Sequence, residues 1–97
     1  MPKAYWVAHV DVKDIDAYAA YIRANAAVFD EFGAKFIIRG GRQYQMEGTT
    51  RARTVVIEFK NMAMARACYE SAGYQAAKAL RAPCSFADLV IVEGYDD

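Results

Sequence analysis

Both faces of the predicted strands are apolar, and this feature most restricts how the chain can fold. In segments 5–10, 54–59 and 86–92, apolar residues occupy both sets of alternate positions. A strand with one face in water alternates apolar and polar residues, because successive side chains point to opposite sides of the sheet. The pattern therefore predicts a sheet that is covered on both faces.

The predicted strands alternate with helical segments. Residues 15–29 repeat apolar side chains at helical spacing, and a second helical region spans 62–81 with a break near Ser71. The order is β-α-β-β-α-β, which right-handed crossovers convert into a four-stranded antiparallel sheet with two helices on one face. We predict this ferredoxin-like α+β fold for a single domain, 1–97, because 97 residues leave no room for a second core. The strands are predicted at 4–10, 34–47, 53–59 and 85–95.

Residues with capping chemistry mark the predicted helix ends. Asp14, Asn61 and Ser71 each precede a helical segment and can accept a hydrogen bond from its first turn. Gly33 follows the first helix where a left-handed stop is expected, and Pro83 ends the second helical region.

Two helices can cover only one face of this sheet, so a second apolar face is left over. A large exposed apolar patch tends to associate, and closed two-fold pairs are the commonest homo-oligomers. We therefore predict a homodimer through the sheet face.

Composition argues against several classes of partner. Twelve basic and twelve acidic residues give a formal net charge of zero, without the basic cluster that a nucleic-acid binder shows. No apolar run is long enough to span a bilayer, and the first twelve residues do not resemble a secretory signal. Cys68 and Cys84 lack a CxxC or Cys/His pattern, so we expect reduced thiols in a cytoplasmic protein, with no nucleic-acid or membrane partner.

Several segments together resemble a known family over nearly the whole chain. They are "YWVAHVDV", "RGG" followed by "EG", "RTVVIEF", "CYESAGYQAAKALR" and "ADLVIVEGYD". This pattern is similar to the domain-of-unknown-function family number 1330, in the dimeric α/β-barrel superfamily. The resemblance implies the ferredoxin-like fold and a face-to-face dimer, but no established activity. The superfamily includes cofactor-free monooxygenases, lactone isomerases and haem-handling proteins, and a shared fold does not fix function.

Arg39 is the most unusual charge in the predicted strands. It ends an apolar run and is followed by Gly40 and Gly41, which match no phosphate-binding signature and predict a β-bulge. One interpretation is an ion pair with Glu58 on the neighbouring strand, which the sequence favours. The other is a guanidinium that binds a carboxylate or enolate in a pocket.

His9 is the only histidine, so no histidine triad can hold a metal within one chain. We expect no metal and no cofactor. His9 is either a core or interface residue or a lone general base, since its ordinary pKa suits neutral pH. Together, His9, Arg39 and Glu58 are the candidate catalytic residues.

Aromatic residues form a second group of candidates. The chain has seven tyrosines and one tryptophan, and most of these side chains suit a core. Several hydroxyls between sheet and helices would also make an apolar cleft with a few polar points, as small-molecule sites do. Arg81 is either a helix-end charge or a further pocket cation. The candidate ligand-binding residues are Trp6, Tyr18, Tyr69, Tyr74 and Arg81.

Three functions remain open from the sequence. The first is a small-molecule enzyme, either a cofactor-independent monooxygenase or an isomerase that acts on an aromatic or enolisable substrate. The second is a dimer that binds a ligand without turnover. The third is an interaction module whose apolar surface serves only self-association. Whether the protein is an enzyme, and on which substrate, the sequence does not specify.

Overall fold

A computed structural model describes residues 2–95 of the chain. Within these residues lie four strands, which form one antiparallel sheet in the order β2-β3-β1-β4, and three α-helices. This confirms the predicted ferredoxin-like fold, with the second helical region divided into two helices. The elements are β1 (Ala4–Val12), α1 (Ile15–Glu31), β2 (Lys35–Arg39), β3 (Arg53–Phe59), α2 (Met62–Glu70), α3 (Ala72–Arg81) and β4 (Ser85–Glu93).

The predicted helix caps are confirmed by their hydrogen bonds. Asp14 Oδ1 accepts from the Ala17 amide at 3.1 Å, and Asn61 Oδ1 accepts from the Met64 amide at 2.9 Å. Ser71 Oγ accepts from the first turn of α3 at 3.1 Å and donates to the last turn of α2 at 2.7 Å. One serine hydroxyl therefore ends one helix and begins the next, which sets the angle between them.

The core lies between the helices and one face of the sheet, and Trp6 of β1 is at its centre. The Trp6 ring contacts Phe29, Phe59 and Tyr74 with centroid distances of 5.3, 5.4 and 4.9 Å. Its indole Nε1 donates to the Ala65 carbonyl of α2 at 2.9 Å. The tryptophan thus joins strand and helix through both packing and a satisfied polar group.

The second strand is shorter than predicted. The sequence predicted a strand over 34–47, but β2 ends at Arg39, and 41–52 has no regular structure. The irregularity in the ladder lies between Phe36 and Ile38, so the bulge predicted at Gly40 and Gly41 was misplaced. Gly40 has a φ of +69°, a left-handed conformation that ends the strand. The side-chain amide of Gln43 then bonds to Arg51 and Thr54 in place of a backbone ladder.

The opposite face of the sheet carries no helix in the part of the chain described. Three cross-strand rows run over it, and the central row consists of Val56, Val7 and Val90. We call the side facing the helices the covered face and the other side the open face. Large apolar side chains are exposed on the open face at Ile37, Ile38, Phe86, Val90 and Val92.

Candidate functional site

A cleft lies between helix α1 and the covered face, towards the ends of β2 and β3. Its total volume is about 520 Å³ counting its open mouth, but only about 40 Å³ can hold the centre of a water molecule. Its walls are mainly apolar and aromatic, with Trp6, Phe29 and Phe36 near the sheet. The polar side chains that line it are Tyr18, Tyr21, Asn25, Arg39, Arg53, Tyr74 and Arg81.

Three arginines line this cleft, and no carboxylate of residues 2–95 lines it. Arg39 pairs with Val55 across the ladder, and Arg53 is two residues along the same strand, so both project from the covered face. Arg81 comes from the last turn of α3. The ion pairs found within residues 2–95 involve other cations, namely Lys3, Arg51 and Arg66. The cleft therefore has an excess of positive charge inside apolar walls.

Aromatic rings hold each of these guanidinium groups. The central carbon of Arg39 lies 4.0 Å from the Phe36 ring centroid, and that of Arg53 lies 5.9 Å from Tyr18. Arg81 lies 5.6 Å from the Tyr21 ring. Contact with a ring face stabilises a guanidinium while leaving its N–H groups free to bind an anion.

Gly40 makes room for the Arg53 guanidinium. A Cβ placed at this glycine would lie 2.1 Å from Arg53 Nη1 and 2.7 Å from its central carbon. Real Cβ atoms do not approach other atoms so closely, so any other residue here would displace the arginine. Gly40, the first of the two glycines after Arg39, thus both ends β2 and leaves space for a second arginine of the cleft.

Two tyrosines and Arg81 form a hydrogen-bonded group in the cleft. The hydroxyls of Tyr21 and Tyr74 lie 2.9 Å apart, and Arg81 Nη2 donates to the Tyr74 hydroxyl at 3.5 Å. Burial, together with the neighbouring Tyr74, raises the pKa of Tyr21 far above its ordinary value. Burial likewise raises the pKa of Tyr18. These phenols therefore stay protonated at neutral pH and can serve as hydrogen-bond donors.

Two buried polar atoms that line the cleft have no partner among residues 2–95. They are Oδ1 of Asn25 and Nε of Arg53. Buried polar atoms in native proteins are almost always hydrogen-bonded, so each exception requires an explanation. Both atoms belong to side chains that line the same cleft, where a water molecule or a ligand can bond to them.

The predicted pair between Arg39 and Glu58 was wrong. Arg39 pairs with Val55 across the ladder and so lies on the covered face, whereas Glu58 pairs with Tyr5 and lies on the open face. Glu58 contacts Lys3 instead, at 3.4 Å. The displaced bulge accounts for the difference, because one extra residue in β2 reverses the side to which Arg39 points.

The three candidate catalytic residues are not brought together. His9 also lies on the open face, where its Nδ1 is 3.2 Å from Thr54 Oγ1. Arg39 alone of the three lines the cleft. His9 and Glu58 therefore cannot act with Arg39 on one ligand in the cleft of the same chain.

Four of the five candidate ligand-binding residues, Trp6, Tyr18, Tyr74 and Arg81, line the cleft. The fifth, Tyr69, lies behind it and packs its ring 5.7 Å from Trp6 and 5.4 Å from Tyr74.

Tyr21, Asn25 and Arg53 line the cleft but were not among the candidate residues predicted from the sequence. Asn25 could have been found from helical spacing, since it falls between the buried Tyr21 and Phe29 on α1. Arg53 carried no signal, because a charge at the start of a strand usually reaches water.

Within residues 2–95, no cluster of three His, Cys, Asp or Glu side chains could hold a metal ion. No helix in the described part of the chain is both long and apolar enough to cross a bilayer. The thiol of Cys68 is buried, and burial raises its pKa to about 12, which makes it a poor nucleophile.

Comparison with known proteins gives a family and a fold. The model of the family described as "Domain of unknown function (DUF1330)" matches residues 3–95. No curated protein matches the chain.

Solved structures share the fold at low sequence identity. A protein of unknown function from Rhodopseudomonas palustris, RPA0582, superposes with a TM-score of 0.78 at 17% identity, over 99% of this chain and 85% of that one. SnoaB from Streptomyces nogalater, a cofactor-independent oxygenase, gives 0.64 at 11% identity, over 100% and 97%. A dimeric ferredoxin-like protein of unknown function from Thermobifida fusca gives 0.61 at 19% identity, over 96% and 90%. These likenesses show the fold alone.

Proposed function

The chain belongs to the DUF1330 family, and we propose that its cleft binds a small planar organic acid between helix α1 and the sheet. The observation that carries this proposal is the group of three arginines, Arg39, Arg53 and Arg81, in a cleft that no carboxylate from the described part of the chain lines. Arg53 and Arg81 are half-buried and Arg39 is exposed, and an anionic ligand would give all three a charged partner.

The shape of the cleft supports a flat ligand. The interior of the cleft is narrow, because much of its volume of about 520 Å³ belongs to the open mouth. A planar ring can lie between aromatic walls where a thicker group would clash. The guanidinium groups then meet a carboxylate, phenolate or enolate through charge-assisted hydrogen bonds, which are about twice as strong as neutral ones.

A cofactor-independent oxygenase or an isomerase is the enzymatic form of this proposal. Both reactions pass through an anion delocalised over the substrate, which arginines stabilise. One hydroxyl of the Tyr21–Tyr74 pair donates to the other, and the remaining hydroxyl hydrogen would donate to the developing oxyanion. The fold shared with SnoaB supports this form only by analogy. The alternative is a binding protein that uses the same contacts without turnover.

Activity separates these two forms. Consumption of small phenols or enolisable acids, followed by oxygen uptake and by chromatography, would show turnover. We expect Tyr74→Phe to lower that rate while binding persists, because it removes one donor hydroxyl. Binding without any turnover across such a panel would leave the non-catalytic form.

The open face supports a homodimer. Its exposed apolar side chains include Val90 and Val92, and the third hypothesis, a pure interaction module, rests on the same surface. We propose that a second copy covers this face, which leaves the arginine-lined cleft on the outer side of each sheet. Dimerisation and ligand binding then use different faces and do not compete.

The test of ligand binding is calorimetric titration of benzoate into wild type, Arg39→Met and Arg53→Met. Each variant keeps an unbranched side chain and loses one cation, so we expect its affinity to fall about tenfold or more. Arg66→Met is the matched control, since Arg66 lies on α2, is not among the residues that line the cleft, and forms an ion pair with Glu70. Absence of benzoate binding to wild type, or equal loss in all three variants, would contradict the proposal.

A further inference from the structure

Asn25 is the least expected residue in the cleft. It lies in the middle of α1, is only 3% exposed, and faces the sheet between Tyr21 and Phe29. At such a helix position an apolar side chain is normal, because Asn has a low helix propensity and an amide that must be satisfied. Its Oδ1 has no partner among residues 2–95, although it lines the cleft.

The two ends of the Asn25 amide have different surroundings. Burial raises the pKa of Tyr21, and a hydrogen bond with Asn25 is among the smaller effects that oppose this rise. Oδ1 is the end of the amide without a partner among residues 2–95, and it can only accept a hydrogen bond.

Within residues 2–95, no neighbouring group donates a hydrogen bond to Oδ1. The Tyr21 and Tyr74 hydroxyls are paired with each other at 2.9 Å, and the donor of Arg81 points to Tyr74. Arg39 and Arg53 extend from the sheet on the opposite wall of the cleft. The cleft thus presents cations from the sheet and a lone acceptor from the helix.

We infer that Asn25 determines specificity, by accepting a hydrogen bond from a hydroxyl or N–H group on a planar acid whose anionic group the arginines hold. The ligand class is then hydroxy- or amino-substituted aromatic or enolisable acids, and unsubstituted acids bind more weakly. This inference rests on the proposed function. It adds a second polar group to the ligand and assigns Asn25 as the residue that accepts a hydrogen bond from that group.

A site built around a lone buried acceptor discriminates strongly, because a ligand without the donor leaves the acceptor unpaired. An Asn25→Leu variant removes the acceptor at similar size and leaves the arginines in place. It therefore separates recognition of the donor group from recognition of the anion.

The experiment is calorimetric titration of benzoate, 3-hydroxybenzoate and 4-hydroxybenzoate into wild type, Asn25→Leu and Ile22→Val. Ile22 lines the same wall of the cleft and is the apolar control. We expect wild type and Ile22→Val to bind one of the hydroxybenzoates about tenfold more tightly than benzoate. In Asn25→Leu, that preference should disappear while benzoate affinity changes little.

A second measurement needs no ligand. Removing an unpaired buried acceptor should raise the melting temperature of ligand-free Asn25→Leu above that of wild type. An unfolded or strongly destabilised variant would mean that the fold itself uses the amide, and would overturn the inference.

The titrations test the role of Asn25 separately from the proposed function. Benzoate binding with no preference for either hydroxybenzoate, or a preference that survives in Asn25→Leu, would overturn the role of Asn25 alone. Failure of all three probes to bind wild type would overturn the proposed function, and the inference with it.

Discussion

The two faces of the sheet are made by the same strands and treat charge in opposite ways. On the open face and its edges, several charges are paired: Glu58 with Lys3, and Arg51 with both Asp11 and Asp88 at 2.9 Å. On the covered face, Arg39 and Arg53 have no acidic partner within residues 2–95. The carboxylates of these pairs lie on the open face, whereas the cations of the cleft lie on the covered face.

This contrast assigns different roles to the two faces. Paired charges around an apolar row suit an interface, where buried charge needs a partner. Unpaired cations and an unpaired amide inside a cleft suit a site that a ligand completes. Because alternate residues of one strand serve the two faces, neighbouring positions should respond differently to substitution.

The largest difference is expected between Trp6 and Val7 on β1. Trp6→Ala should lower the free energy of unfolding by about 3–5 kcal/mol, because it empties the centre of the core. Val7→Ala, one residue away on the open face, should cost much less in the monomer. Urea denaturation followed by circular dichroism checks both, and equal costs would contradict the assignment of faces.

Substitutions on the open face should weaken dimer formation rather than destabilise the folded monomer. Val90→Asp places a charge in the central apolar row, and we expect dimer affinity to fall about a hundredfold or more. Light scattering at micromolar concentration checks the mass, and circular dichroism checks that the monomer remains folded. A wild-type monomer, or a dimer unchanged in Val90→Asp, would show that a second copy does not cover this face.

A smaller contrast concerns single tyrosine hydroxyls. Tyr21→Phe removes the buried bond to Tyr74 and should cost about 1 kcal/mol of unfolding free energy. Tyr5→Phe removes a longer, half-exposed contact with Glu58 at 3.5 Å and should have little effect. Thermal unfolding of the two variants compares them directly, and the reverse order would be inconsistent with a hydrogen-bonded cleft.

The smallest effect is expected from alkaline pH. Burial raises the pKa of Tyr18 in the folded chain above its ordinary value of 10.0. Above that value the unfolded chain loses this proton while the folded chain keeps it, so the free energy of unfolding falls as pH rises. Denaturation between pH 9 and pH 10.5 should show the decline, and Tyr18→Phe should make it shallower. A decline of equal slope in the variant would remove Tyr18 as its cause.

The fold could be predicted because its signals are local and repeated. Asp14, Asn61 and Ser71 mark helix starts by their own chemistry, and apolar patterns on both strand faces require two covers. The direction of Arg39 could not be predicted, because it depends on one extra residue between Phe36 and Ile38. Such a bulge moves the next side chain to the other face of the sheet, and the amino-acid composition of the segment does not indicate it.

The sequence predicted the part of the candidate site that aromatic residues form. It missed the residues whose place in the cleft depends on the tertiary structure. Trp6 and Tyr74 stand out in any reading of a small core, and both line the cleft. Asn25 resembles an ordinary surface residue of a helix, and Arg53 resembles a solvated strand end. Their burial follows from the path of β2 and from the space at Gly40, which are tertiary properties.

We propose that the ligand binds on the covered face and not on the open face. A crystal soaked with 4-bromobenzoate tests it most directly, because the bromine position is located by anomalous scattering. We expect a bromine peak between α1 and the sheet, with the carboxylate in contact with at least one of Arg39, Arg53 and Arg81. A peak confined to the open face, or a cleft without the probe at saturating concentration, would contradict it.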